Sequence, residues 1–364
     1  MVRPFVIWGG YGGHNLGDEA ILWALSRQLR RQEPETCQIV LVPGGVSEAT
    51  RSQYAAWGIE VHSGPRPFVY RILFRARLVV GGGQMVDDST PGWPVGWTSV
   101  LILINRLLGG TSIVLCIGAE PLRRRLARTL VSRVYSLAQV CTCRDDASAE
   151  VLIDAGVPKD KIRVTRDVVF SLDPAMLPRW HSGKPGLSIK VALLVAYDPN
   201  RIREKTGRSQ SLVEVLLQKN ISVILVAHDL REGYDHIAVE EIASRFPGHP
   251  LLYTFNGNRL EDVLSLYSEC DAVISGRMHP LILASLVGTL PIALGGKAKV
   301  QSLLKISSIP ALADASPQQQ AEEIFELMAR RDQIQQQLQR QIRSFRANVE
   351  QSIAQALASP AAEQ

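Results

Sequence analysis

Residues 4–42, PFVIWGGYGGHNLGDEAILWALSRQLRRQEPETCQIVLV, decide the fold. An apolar run, Pro4–Trp8, ends in a glycine cluster, and a helical pattern over Asp18–Arg31 leads to a second apolar run, Gln38–Val42. Short β-branched runs separated by helical patterns read as parallel strands joined by helical crossovers. The alternation continues with Leu78–Val80 and Ser112–Ile117 as strands. A stretch near Val46–Trp57, then Val95–Leu108, Pro121–Leu137 and Asp145–Ala155, read as helices. Leu172–Gly186 holds Pro and Gly without apolar periodicity and reads as an interdomain linker. After it the alternation restarts, with strands at Ile189–Val195, Ile221–Ala227, Leu251–Tyr253, Asp271–Ser275 and Leu290–Leu294. Ser316 to about Ala358 is a Gln-rich helical tail with an apolar stripe at Ile324, Leu327, Met328, Ile334 and Leu338, and Gln335–Gln337 reads as a solvated face. The expected fold is α/β: two Rossmann-like doubly wound domains, 1–175 and 186–310, facing a cleft in a GT-B-like arrangement, with a C-terminal helical tail over 316–358.

A length of 364 residues suits two such domains. Forty Lys and Arg against thirty-five Asp and Glu leave +5, too small and too scattered an excess for a nucleic-acid binder. It is compatible with handling anionic small molecules or visiting an anionic membrane surface. The most apolar stretch, Ser99–Gly118, is broken by Asn105, Arg106 and Gly109-Gly110, so it reads as helix, turn and buried strand rather than a membrane span. Phe5–Trp8 is too short for a signal-peptide core. Five cysteines follow no framework spacing, and Cys141 and Cys143, two apart, read as buried reduced thiols of a cytoplasmic protein.

Four segments place chemistry where a strand meets a helix, the edge at which open α/β sheets bind ligands. The first runs from Gly9 to Leu22. Its glycines let backbone amides approach a ligand beside a helix N-terminus that favours anions. A dinucleotide fingerprint nearly fits from Gly10 and Gly12, but Asn15 stands at the third glycine position, and Pro43-Gly44-Gly45 brings no acid for a ribose. No Gly-Lys-Ser/Thr is present, and Asp18 reads equally as a site carboxylate or as a residue stabilising the helix start. The second segment, Gly81-Gly82-Gly83 followed by Asp87 and Asp88, reads as a ligand loop or a plain turn, and its acids as a cation pair or solvated groups. In the third, Arg144 follows an apolar strand and is as suited to pairing with Asp145 or Asp146 as to holding a substrate anion. The fourth is the most telling: Asp271–Ser275 is a buried strand, Pro280 fits a first helical position, and His279 then reads as the cap. Arg277 offers a planar fork for carboxylate or phosphate and His279 a proton-transfer group. Lys297 and Lys299 add positive charge, or are solvated loop lysines.

Together GGHNLGDEAIL (12–22), GGGQMVDD (81–88), CRDDAS (143–148) and SGRMHPLILA (275–284) resemble the polysaccharide pyruvyl transferase family. The resemblance runs from near residue 5 to about 305. It implies a GT-B-like enzyme that moves the pyruvyl group of phosphoenolpyruvate onto two hydroxyls of a sugar of a cell-surface or exopolysaccharide precursor, leaving a cyclic ketal and phosphate. Carried over, it makes Arg277 and His279 the donor-site pair, with His279 catalytic, and Arg144 a second anion clamp. Asp18 becomes a loop carboxylate near the acceptor and second-choice base, Lys299 a cation of the cleft, and Gly12, Asn15, Gly82 and Gly83 substrate-binding positions. Where many relatives carry a Tyr-Asp-Pro-Lys-Val-like run, this chain reads Gly295-Gly296-Lys297-Ala298-Lys299-Val300, which bears on the acceptor more than on the reaction. No cofactor and no metal are expected. The expected partners are phosphoenolpyruvate and a lipid-linked or nucleotide-linked saccharide, with a peripheral contact at the inner membrane face and no nucleic acid. A GT-B glycosyltransferase using a nucleotide sugar, or a non-catalytic saccharide-binding module, are the rival classes.

Overall fold

Strands such as FVIW (β1, Phe5–Trp8) and AVIS are apolar at every position because a parallel strand with helices on both faces has no wet side. The computed structural model describes residues 3–13, 15–42, 44–63, 67–89, 94–180, 189–194, 202–296 and 298–358. The chain divides into two units: 1–13, 18–172 and 344–364 form the first, and 14–17 with 173–343 the second.

In the first unit, β1 is followed by α1 (Leu16–Gln32), β2 (Gln38–Leu41), α2 (Glu48–Ala56), β3 (Glu60–His62), α3 (Pro67–Leu73), β4 (Arg77–Gly81), β5 (Gln84–Val86), α4 (Pro94–Leu107), β6 (Thr111–Ala119), α5 (Arg125–Leu130), β7 (Cys141–Cys143), α6 (Asp146–Ala155) and β8 (Ile162–Val164). The sheet order is β3-β2-β1-β4-β6-β7-β8, with β5 paired to β6, and every pairing is parallel. The order of winding reverses between β1 and β4, so the loops leaving these two strands part at the carboxyl edge. One apolar core lies under four successive helices, with Leu73, Ile102, Ala127 and Leu152 among its members.

The second unit runs β9 (Lys190–Leu194), α7 (Ile202–Gln218), β10 (Ser222–Val226), α8 (Asp235–Ala243), β11 (Leu252–Phe255), α9 (Leu260–Glu269), β12 (Ala272–Ser275), α10 (Met278–Val287), β13 (Leu290–Ala293), α11 (Ala298–Ile306), α12 (Pro317–Ala329) and α13 (Arg331–Ala358). Its parallel sheet is ordered β11-β10-β9-β12-β13, and the order of winding reverses between β9 and β12. Both units are thus doubly wound.

Several sequence expectations shift. α1 begins at Leu16 rather than Asp18, because Asn15 Oδ1 accepts the Gly17 N–H and acts as the cap. The helix expected over Pro121–Leu137 is confined to Arg125–Leu130 and a π turn over Val131–Tyr135. The linker is described only to residue 180; it contains a 3-10 turn, Pro174–Met176, and Trp180 Nε1 donates to Cys270 O. Its remainder, Val195 and Lys297 lie outside the described residues. Cys116, Cys141, Cys143 and Cys270 are buried, whereas Cys37 is exposed.

The Gln-rich face of α13 is not wholly solvated. Arg331, Gln335 and Gln339, spaced four apart on one stripe, donate to Gly288 O, Thr289 O and Ser285 O. These are carbonyls at and just past the C-terminus of α10, which its own helix leaves without donors. From Ser344 onward α13 belongs to the first unit, where Phe345 meets Phe170 edge-on and Asn348 accepts from Thr165.

The triple glycine at the end of β4 has a packing role. A Cβ on Gly81 would stand 2.1 Å from Leu25 Cδ2, and one on Gly82, whose φ is +56°, 2.0 Å from Ile21 Cγ2. Only glycine lets α1 lie this close. Gly82→Ala should therefore lower stability by about 2–4 kcal/mol, combining left-handed backbone with overpacking. An unchanged urea midpoint would refute this tight approach.

Candidate functional site

In the second unit, β10 and β12 end at the same carboxyl edge of the sheet. Ala227, His228 and Asp229 follow β10. After β12, Ser275 Oγ accepts the Arg277 N–H at 2.9 Å and shapes the turn into α10. α10 starts at Met278 with Arg277 at the cap position, so His279 is its second residue and not the cap. Pro280 is accommodated at the third position because first-turn N–H groups have no acceptor within a helix.

Asp235, the first residue of α8, holds the cluster together. It is 1% exposed. Its Oδ2 accepts the N–H groups of His228 (3.2 Å) and Asp229 (2.9 Å), and its Oδ1 pairs with Arg277 Nη2. Arg277 Nη2 also lies 3.9 Å from Asp229 Oδ2, while Arg231 grips Asp229 through Nε (2.8 Å) and Nη2 (2.6 Å). Two carboxylates thus answer two guanidiniums.

Residues 15–17 complete this cluster. Leu16 N–H donates to His228 O at 3.1 Å, and Asn15 pairs with Asp229 in an antiparallel bridge. A Cβ on Gly17 would stand 2.2 Å from His279 Nδ1, so glycine is what allows the imidazole to lie against this position of the chain. Asn15, Arg277 and His279 are therefore brought together. Lys299 sits half-buried in the first turn of α11.

Among the buried polar atoms of the cluster, His228 Nε2 and Arg277 Nε have no hydrogen-bond partner among the described residues. An unmatched polar atom inside a protein is expensive, and one beside a functional edge points to a ligand. Burial above all, then the positive charges of Arg277 and His279, hold the His228 imidazole well below its ordinary 6.5. His228, Asp229 and Asp235 escaped the sequence reading. The signal was there, since Ala-His-Asp follows an apolar strand just as Gly-Arg-Met-His does.

In the first unit, Gly12, Asp18, Gly82 and Gly83 lie at the β1/β4 edge, and Arg144, which follows β7, stands further along the same carboxyl edge. The Asp18 carboxylate lies over two glycines: Cβ atoms on Gly10 and Gly83 would be 3.3 and 3.5 Å from its oxygens. Gln84, after Gly83, accepts from Arg144 Nη2 at 2.9 Å. Arg144 is 5% exposed, rests on Gly118, and pairs with Asp145 (3.5 Å) and Asp167 (3.8 Å). Asp145 itself caps α6. Two amides of the glycine loop, those of Gly12 and Gly13, are already in use. Glu19 Oε1 accepts Gly12 N–H (3.2 Å), Gly13 N–H (2.7 Å) and Tyr54 O–H (2.9 Å), and burial pushes the Glu19 carboxyl up. Asp88 accepts the N–H groups of Arg123 and Arg124, and Asp87 accepts the N–H and the O–H of Ser89. No group of three potential metal ligands occurs among the described residues.

A model of the family described as polysaccharide pyruvyl transferase matches residues 15–297. No curated protein matches the sequence. Among solved structures, Anabaena HepE in complex with UDP and glucose is similar with a TM-score of 0.64 at 14% identity, covering 99% of this chain and 100% of that one. A glycosyltransferase from Rickettsia africae gives 0.64 at 12% identity over 99% and 100% of the two chains. A putative UDP-N-acetylglucosamine 2-epimerase from Listeria monocytogenes gives 0.63 at 12% over 93% and 91%. At such identities the likeness is one of fold, and the fold is GT-B-like with a C-terminal helix.

The depressed His228 titration sets a pH dependence. Below about 6.5 the unfolded chain binds a proton there that the folded chain refuses, so stability is full above that pH and is lost as pH falls below it. The slope contributed by this one group is at most about 1.4 kcal/mol per pH unit. Urea unfolding between neutral and mildly acidic pH should show His228→Gln with a shallower loss than wild type; equal slopes would mean another group carries the effect.

Proposed function

Because the chain belongs to the polysaccharide pyruvyl transferase family, and is thus a transferase of polysaccharide biosynthesis, we propose that it transfers the pyruvyl group of phosphoenolpyruvate to a sugar of a polysaccharide precursor. The observation that best supports a donor at the second unit is the buried pair of unmatched atoms, Arg277 Nε and His228 Nε2, beside His279. Phosphoenolpyruvate carries a carboxylate and a phosphate on one carbon, which calls for a planar cation and fixed N–H donors. Arg277 takes the donor's anions, with the first-turn amides of α10 nearby. Asp18 and the glycine edge of the first unit serve the acceptor, Arg144 orders that edge, and Lys299 is a further cation for the anionic substrates.

The reaction balances without a redox step. The methylene carbon gains a proton and becomes methyl. One sugar hydroxyl adds to C2 and gives up its proton. The C2–O bond to phosphate then breaks, and the second hydroxyl closes the ketal with loss of its own proton. His279 is the proton carrier, either assisting phosphate departure or accepting a hydroxyl proton. Asp18 is the alternative base.

Phosphate release should require both phosphoenolpyruvate and a lipid-linked or nucleotide-linked sugar, with the sugar product gaining a pyruvylidene group. His279→Gln should keep its fold and its donor binding while losing on the order of 10²–10⁴ in turnover. Normal turnover in that variant would exclude His279 as the proton carrier. Dialysis against a strong chelator should leave the rate unchanged, since no step calls on a metal; a loss restored by a divalent ion would promote Asp87 and Asp88 to ligands. The UDP complex of Anabaena HepE favours one other reading, a nucleotide-sugar glycosyltransferase. In that case UDP would be released from a UDP-sugar and phosphoenolpyruvate would remain intact.

A further inference from the structure

On the side of the first sheet that carries α3, α4 and α5, apolar side chains point outward as well as inward. α4 buries Val95, Leu101 and Ile102 on its inner face. Its outer face leaves Trp97, Val100, Leu103 and Leu107 exposed, Leu107 at 76%. At 100° per residue these four fall within an arc of about 120°. α3 packs against α4 and adds Tyr70 and, just past its end, Phe74; α5, also packed against α4, adds Leu126. Single exposed apolar residues are ordinary, but seven on three adjoining helices form a patch that marks an interaction surface.

The charges around the patch are one-sided. Residues 67–137 contain nine arginines, no lysine and three acids. Two of the acids, Asp87 and Asp88, are buried and hold backbone amides. Arg71, Arg75, Arg106, Arg124, Arg125 and Arg128 are exposed. This local excess does not show in the whole-chain charge of +5.

We propose that the α3–α4–α5 face docks on an anionic lipid surface. The leucines, Val100 and Phe74 enter the acyl boundary, Trp97 and Tyr70 sit at headgroup depth, and the arginines meet lipid phosphates. No described helix is long and apolar enough to cross a membrane, and α4, at 14 residues, lies along the surface. A two-fold contact with a second copy of the chain fits less well, because it would set arginine against arginine. The assignment does not depend on the reaction proposed above.

Flotation with phosphatidylcholine vesicles, with and without phosphatidylglycerol, tests it. The wild-type protein should float with the anionic vesicles, remain behind with pure phosphatidylcholine, and release as salt rises. Leu103→Ser/Leu107→Ser and, separately, Arg71→Glu/Arg106→Glu should each weaken vesicle binding by about tenfold or more. All four side chains are exposed, so melting temperatures should hold. Wild-type protein that stays behind with anionic vesicles, or that floats equally well after both pairs of substitutions, overturns the proposal. So does a dimer, seen by light scattering, that the leucine pair splits while vesicles bind neither form.

Discussion

Parallel strands cannot be joined by a tight turn, and the crossovers they demand set where everything else in this protein can be. Each crossover returns the chain on one hand, so a sheet wound first one way and then the other must part its loops at the reversal. In the first unit the parting lies between β1 and β4, and there the two glycine segments meet. In the second it lies between β9 and β12, and the turn after β12 and the first turn of α10 carry Arg277 and His279. The functional candidates were not free to appear on any surface; the winding offered them one edge of each sheet.

What happens at those two edges differs in how the charges are answered. The first edge is the more heavily bonded of the two, although Arg144 Nε, Gln84 Nε2 and Glu19 Oε2 are buried there without a hydrogen-bond partner among the described residues. Glu19 occupies the amides of Gly12 and Gly13, Asp88 occupies those before α5, and Arg144 is held by Gln84, Asp145 and Asp167. The second edge is charge-balanced by Asp229 and Asp235 against Arg231 and Arg277, yet keeps a guanidinium nitrogen and an imidazole nitrogen unmatched. Removing one partner from a buried pair is far more damaging than never having built it. Asp235 therefore fixes the Arg277 fork in place even as it neutralises it, and leaves the Nε side of that fork for something else.

The alternation of apolar runs and helical patterns made the two wound sheets legible, because a buried parallel strand advertises itself by lacking any polar alternation. Arg277 and His279 were legible for the same reason, standing directly after such a run. His228 was not, since a histidine behind an alanine at a strand end looks like a core histidine until Arg277 and His279 are seen beside it. Asp18 and Glu19 are adjacent acids that sequence cannot rank. Only the fold shows that Glu19 turns inward to the glycine amides while Asp18 faces Gly10 and Gly83. The helix starts were misplaced by two residues at α1 and by two at α10 for a shared cause. Caps are chosen by side-chain geometry, and Asn15 and Ser275 organise their turns in ways that neither proline position nor acid position reveals.

α13 is one continuous helix whose first part seats on α10 and whose last part completes the first unit. This gives the first unit a discontinuous chain, and with it a schedule. During synthesis the eight-stranded sheet can form as soon as residue 164 is available. Phe170 and Thr165 then wait for Phe345 and Asn348, residues made nearly two hundred positions later. Domains generally fold in the order they are made, but here the earlier domain is finished last, by a segment delivered only after the later one has its own sheet.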